Sequence, residues 1–147
     1  MVCVFLTEMT RGGAMPMLEK TLAFNEARQK VLATNIANIT TPGYRAKQLD
    51  LAGFQAALRD ASTRRQQNGG PLQLESTSEF RQGADGFLQV TPSEEPVDNI
   101  LFKDGTNASI EQQMSRLAET AMTHQISTEL LKGYFDGLQK AIRGRAL

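Results

Sequence analysis

IEQQMSRLAETAMTHQISTELLKGYFDGLQKAI, residues 110–142, is the stretch that decides the fold. Within it Ile110, Met114, Leu117, Ala121, His124, Thr128, Leu131, Phe135, Leu138 and Ile142 advance alternately by four and three. That period lines them up on one stripe of a helix and predicts a coiled-coil seam, which requires a partner helix. Ser109 stands where an N-cap belongs, and Gln112 follows at the spacing of a capping box. Glu111 suits the positive end of the helix dipole, and Lys140, Arg143 and Arg145 suit the negative end. Gly144 is a natural stop.

Working outward, the same spacing recurs at the other end of the chain, at Leu18, Leu22, Asn25, Gln29, Leu32, Ile36 and Ile39. Pro16 fits a first turn, where a missing N–H costs nothing. A helix over 16–39 follows, and it must close before Pro42, because proline disfavours helical geometry in the residue ahead of it. Thr40-Thr41-Pro42-Gly43-Tyr44 then reads as a type II turn, with glycine supplying the positive φ. The expected fold is mainly α, with long N- and C-terminal helices paired as an antiparallel coiled coil. Asn25, Gln29 and Thr128 are polar positions in that seam, able to fix register. Phe24, Val31, Leu130 and Tyr134 fall off the seam, and the pattern predicts a second apolar side for neighbours to cover.

The middle carries weaker signals. Leu49–Leu58 reads as a short helix with Leu51, Phe54 and Leu58 on one side. From Gln66 to Pro71 the chain reads as a break. Leu72–Glu75 and Phe87–Val90 alternate like short strands. Pro92, Pro96 and Glu94-Glu95 discourage regular structure. The expected organisation is a disordered tail over 1–15, helix, turn and short helix over 16–60, an irregular and partly disordered connector over 61–106, and the last helix over 107–147.

Composition excludes several functions. The chain has 147 residues, 40% of them hydrophobic, no Trp and a formal net charge of zero. No global field therefore draws it to nucleic acid or an anionic membrane. Residues 41–65 hold five basic and two acidic groups, and 66–106 hold two basic and seven acidic. Such unevenness suits complementary stacking of subunits and equally a solvated loop. Cys3 is the single cysteine, so no intrachain disulfide forms. The apolar Met1–Leu6 is too short for a signal peptide. No run reaches transmembrane length.

Catalytic and metal chemistry lack candidates. His124 is the single histidine and has no Cys, Asp or Glu at ligand spacing, so it reads as a packed seam residue. No phosphate loop or nucleophile elbow occurs. Arg59, Arg64 and Arg65 have no interleaved aromatics, which argues against nucleic acid. The sequence predicts no enzyme, cofactor, metal or small-molecule substrate. Asn35 and Asn38 stand out, because asparagine is poor inside a helix. Their amides are expected to bond the backbone of the following turn or of a neighbouring subunit.

The run Asn35-Ile36-Ala37-Asn38-Ile39-Thr40-Thr41-Pro42-Gly43-Tyr44 resembles the N-terminal signature of bacterial flagellar axial proteins, the family of rod, hook and hook-associated subunits. In that family a first helix ends in an Asn-rich turn followed by Thr-Pro-Gly-Tyr. The short length and the ends, over residues 17–59 and 103–145, are similar to the proximal-rod members. Departures exist: Gly105-Thr106-Asn107-Ala108-Ser109 replaces a common Gly-Asn-Asn-Val-Asp. Gln113-Met114 replaces Glu-Met, and His124-Gln125 replaces an aromatic before Gln. The resemblance implies a structural subunit of the proximal rod that assembles helically and transmits torque. It implies as partners other rod proteins, further copies of the chain and the rod–export-gate adaptor. It also implies type III export without a cleaved signal, with Phe54 and Leu58 similar to an export-gate element. The rival readings are a paralogous rod subunit and a soluble helical hairpin acting as a binding module or chaperone.

Overall fold

In a computed structural model, residues 14–95 and 109–144 of the chain are described. Their elements are α1 (Met15–Ala37), β1 (Lys47–Gln48), α2 (Leu51–Asn68), β2 (Phe80–Gln82), β3 (Leu88–Val90), β4 (Ser93–Glu94) and α3 (Ile110–Ile142). The fold is mainly helical with a few short strands in the middle. Residues 1–13 of the tail expected over 1–15, the span 96–108 and Arg145 lie outside the described residues, and Met15, expected in the tail, already belongs to α1.

α1 starts with Pro16 in its first turn and ends at Ala37. The chain then turns through Thr41–Tyr44, where Gly43 has φ +74° and the Tyr44 N–H donates to the Thr41 carbonyl at 3.1 Å. Pro42 and Gly43 fill the two central positions of a type II turn. α2 is longer than the short helix expected over 49–58. Asp50 caps it by accepting the Gly53 N–H at 2.9 Å, and the helix continues through Gln66 and Gln67. The expected break thus begins only at Gly69, whose φ is +70°. Glutamine and arginine are good helix formers, and Ala57 and Ala61 keep the inner face small and buried.

The middle is also more ordered than an irregular connector. Leu72–Glu75 forms no strand, yet Leu72 and Leu74 are buried in the core. β2 and β3 make an antiparallel hairpin, with Phe80 opposite Val90 and Gln82 opposite Leu88. Asp85 closes its turn by accepting the Phe87 N–H, and Gly86 supplies φ +83°. Lys20 on α1 donates to the Gly86 carbonyl and ties the turn down. β4 returns antiparallel to β1, Lys47 opposite Glu94.

One apolar cluster holds α1, α2 and the hairpin together. Phe24 stacks on Phe54 with centroids 4.0 Å apart, and Phe80 meets Phe54 edge-on at 5.7 Å. Phe24, expected on an exposed second side, is instead fully buried. Burying each such ring contributes about 1.5–3 kcal/mol. The aromatic geometry adds about 0.5–1.5 kcal/mol per pair. Val31 packs half-buried against the same cluster.

α3 makes its most extensive contacts with α1. At about 1.5 Å per residue its 33 residues span about 50 Å, longer than the 23 residues of α1. Its start differs from the expected capping box: Ser109 occupies the N-cap but its hydroxyl donates to Glu111, not to the backbone. Its end conforms, with Gly144 at φ +64° just beyond Ile142.

Candidate functional site

The residues of α3 turned inward are not the stripe that hydrophobicity selects. Gln113, Leu117, Thr120, His124, Ser127, Leu131, Tyr134 and Leu138 are buried or half-buried, and they too advance by four and three. This stripe shares Leu117, His124, Leu131 and Leu138 with the expected seam. In the other half it is offset by one residue: Gln113, Thr120, Ser127 and Tyr134 stand where Met114, Ala121, Thr128 and Phe135 were expected. Ile110, Met114, Ala121, Phe135 and Ile142, all expected in the seam, are exposed. Thr128 is exposed as well, and its hydroxyl returns to the His124 carbonyl of its own helix. On α1, Leu32 and Asn25 are buried, while Leu18, Leu22, Gln29 and Ile36 are half-buried, as is Ile39 in the turn that follows.

A polar stripe can face inward only if its groups are satisfied. Thr120 and Ser127 manage this locally, donating to the carbonyls of Arg116 and Thr123 at 2.7 and 2.8 Å. Gln113, fully buried, is drawn in by a network that begins at Asn35. The Asn35 amide nitrogen donates to the Lys47 carbonyl at 2.7 Å and to Gln113 Oε1 at 3.0 Å. Its Oδ1 accepts the Lys47 N–H and the Tyr44 hydroxyl, each at 3.0 Å. All four hydrogen-bonding positions of this amide are filled. The amide acts toward Lys47 as a neighbouring strand would, taking its N–H and giving to its C=O.

The network continues into the C-terminal helix. Gln113 Nε2 donates to Glu95 Oε2 at 3.0 Å, and Arg116 pairs with the other oxygen of Glu95. Glu95 is itself fixed, because its N–H donates to the Ala46 carbonyl at 2.8 Å. Five segments meet here: the end of α1, the turn, β1, the residue after β4 and the first turn of α3. Burial holds the Tyr44 hydroxyl above the usual phenol pKa, so it stays a donor. Asn38 differs from its neighbour, since its amide returns to the Thr34 carbonyl at 2.8 Å on the surface. Gln113, Glu95 and the backbone of Lys47 were not singled out for this role. A glutamine one position off the seam stripe was the available signal.

The outer side of α3 contrasts with this. Met114, Met122, Ile126 and Leu130 are 56, 67, 56 and 57% exposed. Leu130 was expected to be off the seam and is. Phe54 and Leu58 lie elsewhere: Phe54 is buried against Phe24, and Leu58 packs half-buried on the core. Among the described residues no group of three or more His, Cys, Asp or Glu could hold a metal, and none of their helices is long and apolar enough to cross a membrane.

The site centres on the resemblance-bearing run, and a family profile matches the same region, while whole relatives match most of the chain. The family profile "Flagella basal body rod protein" matches residues 17–45. The flagellar basal body rod protein FlgB of Bacillus subtilis is 28% identical over 133 residues, covering 90% of this chain and 95% of that protein. FlgB of Aeromonas hydrophila is 30% identical over 84% of this chain and 87% of its own length. FlgB of Cereibacter sphaeroides is 31% identical over 84% and 88%. The chain belongs to the FlgB family of flagellar basal body rod proteins. As a FlgB-family member it is a structural subunit of the flagellar basal body rod. In FlgB terms, the matched segment is α1 with its turn, the part organised around Asn35.

Proposed function

We propose that this subunit builds the proximal rod by helical assembly with its own copies and with other rod proteins, and that it transmits torque there. The observation that carries the reading is the two-sided character of α3. One side, mixing Gln113, Thr120 and Ser127 with Leu117, Leu131 and Leu138, is buried or half-buried; the other exposes Met114, Met122, Ile126 and Leu130. Exposed apolar rows of this size favour association. Head-to-tail contacts between like subunits generate a helical rod.

Within the subunit, α1 and α3 form an antiparallel coiled-coil pair. In support, Asn35 meets Gln113, and Arg28, whose pKa burial lowers, lies close enough to Glu119 to feel its charge. Partners thus move up α3 as they move down α1. Stiffness follows from close packing of the pair.

The remaining parts of the reading come from the family resemblance. The subunit leaves through the type III export channel without a cleaved signal and seats against the rod–export-gate adaptor at the base. The Phe54–Leu58 element is read before the aromatic core closes, since folding hides Phe54. An Ile126→Asp, Leu130→Asp double variant tests the assembly reading. It is expected to fold as the wild type does and to be absent from purified basal bodies. Normal incorporation and swimming would refute it.

A further inference from the structure

Phe87, at 72%, is the most exposed large apolar side chain among the described residues. It stands where the β2–β3 turn ends, and that turn is held in place. The Phe87 N–H donates to Asp85 Oδ1 at 3.1 Å, and the Phe87 carbonyl accepts the Gly83 N–H at 2.9 Å. Lys20 donates to the Gly86 carbonyl. An aromatic side chain on a fixed backbone loses little further freedom on docking. Arg81 shares its face: strand alternation covers Phe80, Gln82, Leu88 and Val90 and leaves Arg81, Phe87 and Gln89 exposed. Arg81 lies opposite Gln89, so Phe87 is its diagonal neighbour, about 7–8 Å away. No described residue makes an ion pair with Arg81.

α3 carries a face of matching chemistry. Met122 and Ile126 are exposed one turn apart, and Glu129 is exposed one turn beyond. At about 1.5 Å per residue, Glu129 lies about 7.5 Å along the axis from the middle of the Met122–Ile126 step. Glu129 takes the Gln125 amide at 3.3 Å and enters no ion pair among the described residues. The apolar and charged points are thus spaced alike on the two surfaces, and the charges are opposite. Within one chain both surfaces stay uncovered. The hairpin shares its core with α1 and α2, and no α3 residue belongs to that core.

We propose that the hairpin of one copy docks on α3 of the next, with Phe87 seated across Met122 and Ile126 and Arg81 paired with Glu129. A thioether is a favourable seat for an aromatic ring. The two surfaces differ, so the contact is heterologous, and each copy gives its hairpin to one neighbour and its helix to another. The inference rests on the reading of the chain as a rod subunit and names what covers the exposed row of α3.

The test uses the full chain in a strain lacking its own copy, with Cys3→Ser removing the single native thiol. Phe87→Cys and Ile126→Cys are then combined in that chain. Oxidised basal bodies are expected to yield disulfide-linked dimers and longer ladders, which neither single cysteine gives. Phe87→Ser lowers the chain recovered in basal bodies about tenfold, the scale of one aromatic side chain left in water. Arg81→Glu and Glu129→Lys each lower it about threefold, and the two together restore it. The purified variants melt with the wild type. Basal bodies that contain the chain but show no link between positions 87 and 126 overturn the contact. So does Ile126→Cys linking to itself, or Phe87→Cys linking to another rod protein, since each names a different occupant. A double charge variant recovered no better than the single ones also overturns it. If the strain lacking the chain still swims, the rod reading itself fails, which none of the variant outcomes would produce.

Discussion

α1 is packed on two sides by different physics. Toward α2 and the hairpin it offers Phe24 to a cluster of aromatic and aliphatic side chains. Toward α3 it offers Asn35 to Gln113. The apolar side gains from area removed from water and tolerates small slips. The polar side gains little net energy, about 0.5–1.5 kcal/mol per hydrogen bond, but is expensive to break because each orphaned buried group costs about 1–3 kcal/mol. Stability therefore resides in the aromatic cluster, and register resides in the Asn35 network. Asn25 shows the cost of polar burial, as its amide nitrogen has no partner among the described residues.

The largest expected effect breaks the apolar side. Phe54→Ala removes the ring between Phe24 and Phe80 and should cost about 3–5 kcal/mol, read from urea unfolding. A loss near zero would place the core elsewhere. Next comes the polar side: Asn35→Ala orphans Gln113, Tyr44 and the backbone of Lys47. About 2–3 kcal/mol should be lost, with faster hydrogen exchange at Lys47 and at the start of α3. Unchanged exchange there would remove the network from the account.

Smaller effects sharpen the contrast. Gly43→Val forces a branched residue into φ +74° and should cost about 1–3 kcal/mol. Tyr44 gives a pH signature. Its folded pKa is raised by burial, so its contribution is fully present below the unfolded phenol value and is lost as pH rises through the folded one. Stability should fall across alkaline pH, and Tyr44→Phe should flatten that fall. The smallest effect is on the outer stripe: Leu130→Ser should change monomer stability by about 0.5 kcal/mol or less.

The helices at both ends were legible because their apolar period is long and their stops, Pro42 and Gly144, are unambiguous. The turn at Gly43 was legible because only glycine tolerates its φ. What escaped the sequence was which stripe of α3 faces α1. Hydrophobicity chose Met114 and Phe135, but Asn35 and Glu95 together reward the burial of Gln113, and that partnership spans 78 residues of sequence. The same limit hid Phe24, whose partner Phe54 lies on another helix. The length of α2 was missed because its last turns are polar and pack little. Between residues 71 and 95 the alternation of Phe87–Val90 was legible, and β3 lies within it, but its partner β2 was not, because Phe80-Arg81-Gln82 carries one apolar residue and no alternation.

The central claim is that α3 keeps the mixed stripe through Gln113, Thr120 and Ser127 for α1 and gives its exposed apolar row to neighbouring subunits. High-resolution imaging of basal bodies containing this chain tests it most directly. The account predicts Met122, Ile126 and Leu130 buried against other subunits, with Asn35 still bonded to Gln113 of the same chain. Those three side chains facing water in the assembled rod, or Asn35 and Gln113 separated, would contradict it.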